Sequence, residues 1–130
     1  MKKAQLALAT VLLFALATIS FGADAAKPAL TKVEPKTVCM ITEHAMGKPQ
    51  IPVEVEGKTY YGCCEMCKKT LATDASKRVA KDPQSGVEVD KAVAVIAADA
   101  DGAIFYFEND KNLTDYNAKL AKSQKSADKK

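Results

Sequence analysis

The chain has 130 residues, with 19 lysines and arginines against 16 aspartates and glutamates, a net charge of +3 and a single histidine. So even a balance, with no stripe of basic and aromatic residues, argues against a nucleic-acid partner. The length suits one small domain with a modest hydrophobic core.

The amino terminus reads as a secretory signal peptide (1–25). Lys2 and Lys3 precede an apolar run from Leu6 to Ile19, and Ala23 and Ala25 stand where a signal peptidase wants small residues. The run is too short for a comfortable membrane span. No cysteine follows the cleavage site to carry a lipid, so no stable membrane anchor is expected after cleavage. The periplasm is the expected compartment.

A Lys- and Pro-rich, flexible lead-in (26–37) comes next, then Cys39 and the loop "MITEHAMGKPQ". "IPVEV" and "KTYYG" alternate apolar and polar positions around Glu56-Gly57, which predicts a β-hairpin. A helix should begin near Cys64 and carry Met66, Leu71 and Ala72 inward. Asp74 can cap a further helical turn through "ASKRVAK", which Asp82-Pro83 stops. "VEVDKAVAVIAA" then reads as a strand, "DADG" as a turn, "AIFYFE" as a strand and "NDKNLTDYNAKLAK" as a helix capped by Asn109 or Asp110. A basic tail (121–130) should fray into solvent.

The two halves match at an offset of 45 residues, which brings Gly57 onto Gly102, Tyr60 onto Phe105 and Tyr61 onto Tyr106. The expected fold is α+β, made of two related ββα units: one bearing cysteines (38–80), the other without them (81–120). In the second unit Glu108, Asn109 and Asn112 stand where the first has Cys63, Cys64 and Cys67.

All four cysteines, His44 and the methionines Met40, Met46 and Met66 fall between residues 39 and 67. Thiolate, thioether and imidazole are the donors preferred by Cu(I) and Zn(II). For each methionine taken alone, core packing is the simpler account. Cys63 at the end of the hairpin and Cys67 in the first helical turn can converge on one ion, where helix-start amides favour thiolates. Cys39 adds a third donor from a remote segment, so that metal binding should be coupled to folding. Cys64, His44 or an external ligand is left to fill a fourth position.

"VCM", followed by a hairpin ending in "GKTYYGCCEMCKKTL", resembles the TRASH/YHS group of small cysteine domains, whose layout is similar to zinc-binding treble clefs. The resemblance covers most of Val38 to Tyr116, and Cys39, Cys63 and Cys67 match its pattern of one cysteine, a spacer and a C-x3-C pair. "DPQSGVEV…GAIFYFEN" resembles the related "DPVCGM…YYFCS" signature without its cysteines. The resemblance implies a treble-clef-like first unit and a role in heavy-metal sensing, trafficking or resistance, with another metal-handling protein as a candidate partner. Two positions depart from the pattern: Cys64 is an additional thiol, and Thr42 stands where treble clefs usually carry the second cysteine of the first knuckle. An incomplete or exchangeable site is therefore expected in place of a closed four-sulfur one.

Rival readings concern the same sulfurs. "CEMC", Cys64 to Cys67, has the spacing of a thiol–disulfide redox pair, although the βαβ context of thioredoxin-like proteins is missing. Four cysteines in an exported chain can also form inert disulfides, but three crowded into one turn close almost no loop. "DADGAIFYFE" partly imitates a calcium loop; it lacks the leading acidic ligand and its flanks read as strands, so a hairpin turn is the simpler reading. No phosphate loop or nucleophile elbow is present, and no enzymatic activity is expected.

Overall fold

Residues 29–127 are described in this computed structural model; the expected signal peptide and residues 26–28 of the lead-in lie outside them. After β1 (Thr31–Lys32) and a 3-10 turn (Pro35–Thr37) come β2 (Val38–Cys39) and β3 (His44–Ala45). β4 (Ile51–Val55) and β5 (Lys58–Gly62) form a hairpin that leads into α1 (Glu65–Thr73). A second 3-10 turn (Ala75–Arg78), β6 (Val79–Lys81) and β7 (Glu88–Asp90) follow. A second hairpin, β8 (Val95–Ala98) and β9 (Ile104–Phe107), leads into α2 (Asp110–Ala127). The fold is α+β: the described strands form one three-stranded sheet, ordered β1-β8-β9, and three antiparallel pairs.

Local chemistry explains the turns. Glu56 and Gly57 both have positive φ (51° and 75°), the conformation of the two-residue hairpin turns that match strand twist. Asp74 accepts a hydrogen bond from the Ser76 amide and so opens the second 3-10 turn. The "DADG" segment is a hairpin turn, with Asp99 Oδ1 accepting from the amides of Asp101 and Ala103 at 3.0 Å each.

The apolar core draws on both halves. Val38, Met40, Val53, Tyr60 and Leu71 pack in one cluster with Val89, Ile96, Ala98, Ile104 and Tyr106. Strand alternation sends Ala97 to the opposite face, where it joins Leu30, Phe107 and Leu113 of α2. Among the described residues no helix is long and apolar enough to cross a membrane.

Four expectations are corrected. "VEVDKAVAVIAA" is two strands, because the Asp90 carboxylate accepts the Ala92 amide at 2.9 Å and its carbonyl accepts the Ala94 amide at 3.0 Å, so a turn forms over Lys91–Ala94. "ASKRVAK" is helical only to Arg78 and then becomes β6. α1 buries Cys67 and Leu71, four positions apart, which leaves Met66 and Ala72, one position off that stripe, exposed. The segment from 121 onward is not a frayed tail as far as Ala127, because α2 continues through it.

Candidate metal centre

Cys39 ends β2, Cys63 follows the last residue of β5, and Cys67 lies in the first turn of α1. Their sulfurs all lie within 4.8 Å of one another, and Cys63 Sγ and Cys67 Sγ are 3.6 Å apart. A cation about 2.3 Å from each of three sulfurs needs them roughly 3.8 Å apart in tetrahedral geometry and roughly 4.0 Å apart in trigonal geometry. The triangle fits with only small side-chain adjustments. Cys39 and Cys67 are buried, Cys63 is half-buried, and all four cysteines of the described chain are free thiols.

The backbone brings them this close for identifiable reasons. A Cβ on Gly62 would sit 2.9 Å from Cys67 Cβ and 3.1 Å from the Lys68 amide nitrogen, so only glycine lets the strand end meet the helix start. Met40 N–H donates to the Tyr61 carbonyl at 2.9 Å and Cys63 N–H donates to Cys39 Sγ at 3.3 Å, fastening the Cys39 strand to β5.

The thiols are not equivalent. Burial alone would raise the Cys39 pKa, but the Thr42 hydroxyl and the amides of Thr42, Ile41 and Cys63 around the sulfur outweigh it and bring it down to about 6. Burial pushes Cys67 up to about 12, helped by hydrogen bonding with Cys64 and Cys63 and by the negative charge of Cys39. Hydrogen bonding to Cys39 raises Cys63. The Cys67 amide, and then the Cys67 thiol, beside Cys64 lower its pKa. A cation entering the triangle would thus meet one ready thiolate and displace protons from the other two sulfurs.

Two further candidates lie elsewhere. Cys64 Sγ is 3.5 Å from Cys67 Sγ, but Cys64 is exposed and does not share the mutual triangle. His44 pairs with Cys39 across β2 and β3, yet its imidazole rests on Gly102, where a Cβ would come within 2.7 Å of Cε1. His44 therefore braces the β8–β9 turn and is not part of the sulfur cluster. Of the methionines, Met40 is fully buried in the core and Met66 is 77% exposed.

Some supporting residues are not evident from sequence. Lys91, only 4% exposed, donates to the Met40 carbonyl at 2.8 Å and to Glu43 Oε1 at 2.9 Å, and stands 5.1 Å from the centre of the Tyr106 ring. The amide of Ile104 donates to the Glu43 carbonyl at 3.1 Å, and that of Ala45 to the Gly102 carbonyl at 2.8 Å. The second half thus grips the turn whose amides face the Cys39 sulfur. Thr42, notable in the sequence only as a missing cysteine, supplies a hydroxyl to that sulfur. Gly62 before Cys63 was the one sequence signal of close approach.

Comparison with known proteins adds no relative: no family model, curated protein or solved structure matches the chain. The residues establish three cysteines positioned to bind a metal ion.

Proposed function

We propose that this chain is an exported, periplasmic metal-binding protein that holds Cu(I) or Zn(II) through Cys39, Cys63 and Cys67, in the service of metal buffering, trafficking or resistance. The observation that carries this reading is the convergence of three sulfurs from three separate segments to within 4.8 Å. An all-sulfur donor set suits soft and borderline ions over calcium or magnesium. The resemblance of the Cys39, Cys63 and Cys67 spacing to the TRASH/YHS pattern supports the same role, and the export signal at 1–25 supports the compartment. Another metal-handling protein is the natural donor or acceptor, and no catalysis is assigned.

Elemental analysis of protein isolated without chelator, combined with a thiol count under denaturing conditions before and after reduction, tests the proposal. Near-stoichiometric copper or zinc with four free thiols, the number in the sequence, is expected. A second reading, a thiol–disulfide protein, draws on the 3.5 Å separation of the Cys64 and Cys67 sulfurs at the start of α1. Two or no free thiols and no metal would favour that reading, or inert disulfides, and overturn the first.

A further inference from the structure

Resting on the metal-binding reading, we propose that Cys64 is the exchange ligand of the centre: the sulfur through which a bound cation is handed to, or received from, a thiol of another molecule. Three observations meet at this residue. Cys67 Sγ stands 3.6 Å from Cys63 Sγ on one side and 3.5 Å from Cys64 Sγ on the other, so it is a vertex common to the triangle and to the outer thiol. Burial falls from Cys39 and Cys67 through half-buried Cys63 to exposed Cys64, a graded path from the interior to solvent. Cys64 itself is extended (φ −154°, ψ 171°) just before α1, outside the mutual cluster that could hold the ion.

This placement solves a kinetic problem. An ion held by Cys39, Cys63 and Cys67, two of them buried, would be reached by an external ligand only with loss of coordination. With Cys64 beside the shared vertex, the exchange can be stepwise. The Cys64 thiol gives its proton to solvent and forms a metal–sulfur bond while Cys67 stays bound. The Cys39–metal and Cys63–metal bonds would then break: the Cys39 thiolate would be received by the amides and the Thr42 hydroxyl around it, and the Cys63 sulfur would recover a proton from solvent. The ion, now at the surface, bonds an incoming thiolate, and Cys64 and Cys67 let go and recover protons from solvent. The ion keeps its oxidation state and no electrons move. A thiol-bearing partner is the acceptor class this chemistry fits, because it offers the same donor atom as the ligands it replaces.

The test uses the Cu(I)-loaded protein, mixed anaerobically with dithiothreitol as the thiol acceptor while thiolate-to-metal absorbance is followed by stopped flow. In C64S the equilibrium Cu(I) affinity should stay within about threefold of the unchanged protein, while transfer slows by about tenfold or more. C64A should behave the same way, and M66L, which alters an exposed neighbour, should transfer at the original rate. Transfer by C64S at the original rate overturns this inference alone. A loss of affinity in C64S as large as that in C67S also overturns it, because Cys64 would then be a resident ligand. Failure of the unsubstituted protein to take up copper or zinc would overturn the functional reading and this inference together.

Discussion

The β5–α1 and β9–α2 junctions each draw a third segment onto a strand end and a helix start, but with different atoms. At the first, the Cys63 amide donates to Cys39 Sγ at 3.3 Å, and Cys67 faces the same point from α1. At the second, the Glu108 amide donates to Asp82 Oδ2 at 2.8 Å, and Asn112 Nδ2 reaches the same oxygen at 2.6 Å from α2. Glu108 and Asn112 stand 45 positions after Cys63 and Cys67. The buried Asp82 carboxylate also accepts the amides of Gln84 and Ser85 on Oδ1, so its lone pairs are met by protein donors. At the first junction the Cys39 sulfur has donors around it, while the Cys63 and Cys67 sulfurs face one another at 3.6 Å. One junction is closed by protein donors; the other brings three sulfurs close enough to share a cation.

The comparison can be broken most sharply at Cys67. Cys67→Ser should lower metal affinity by about a thousandfold or more, whereas Asn112→Ala, its counterpart in the second junction, should leave affinity unchanged; competition titration against a chelator of known strength decides. Asp82→Ala comes next, because it strips partners from buried donors: a loss on the order of 3 kcal/mol of stability is expected in urea unfolding, with or without metal. The same carboxylate predicts a pH signature. Burial opposes the charged form, but Asn112 and the amides of Glu108, Gln84 and Ser85 prevail and hold the pKa below its ordinary value of 3.8. The stabilisation is therefore fully present above about pH 4 and is lost as pH falls through the lower, folded-state value. Asp82→Asn should flatten stability over that acid window, and an unchanged acid limb would refute the assignment.

A smaller effect is expected at Lys91, which joins the halves. Lys91→Met keeps much of the apolar stem but frees the Met40 carbonyl and Glu43, so affinity should fall by about tenfold as the turn facing Cys39 loosens. Equal affinity would mean that the second half does not position the sulfur. Smallest of all, deleting residues 121–130 should change unfolding free energy by less than about 0.5 kcal/mol, since this end of α2 is largely exposed.

Several of these features were legible in the sequence because they rest on local periodicity. Alternation around Glu56-Gly57 marked the first hairpin, and the strand-to-helix change at Cys63 and Cys67 put two sulfurs near each other, with Cys39 returned by the loop. What escaped depends on long-range packing. Met66 and Leu71 are both apolar, and only the docking of α1 on β4 and β5 decides that Leu71 turns in and Met66 out. Lys91 reads as one more surface lysine until Asp90 turns the chain and buries it. His44 looked like a spare ligand, yet the approach of the β8–β9 turn gives its ring Gly102 to lie on.

Val38 and Met40, the neighbours of Cys39 in the chain, are both wholly buried in the shared core. Apolar contacts therefore help to place this segment, alongside the coupling to metal binding expected from the sequence. The Cys39 sulfur is thus moored by the apolar neighbours on either side of it in the chain, so a substitution that displaces Val38 or Met40 would move a thiol as well as the core.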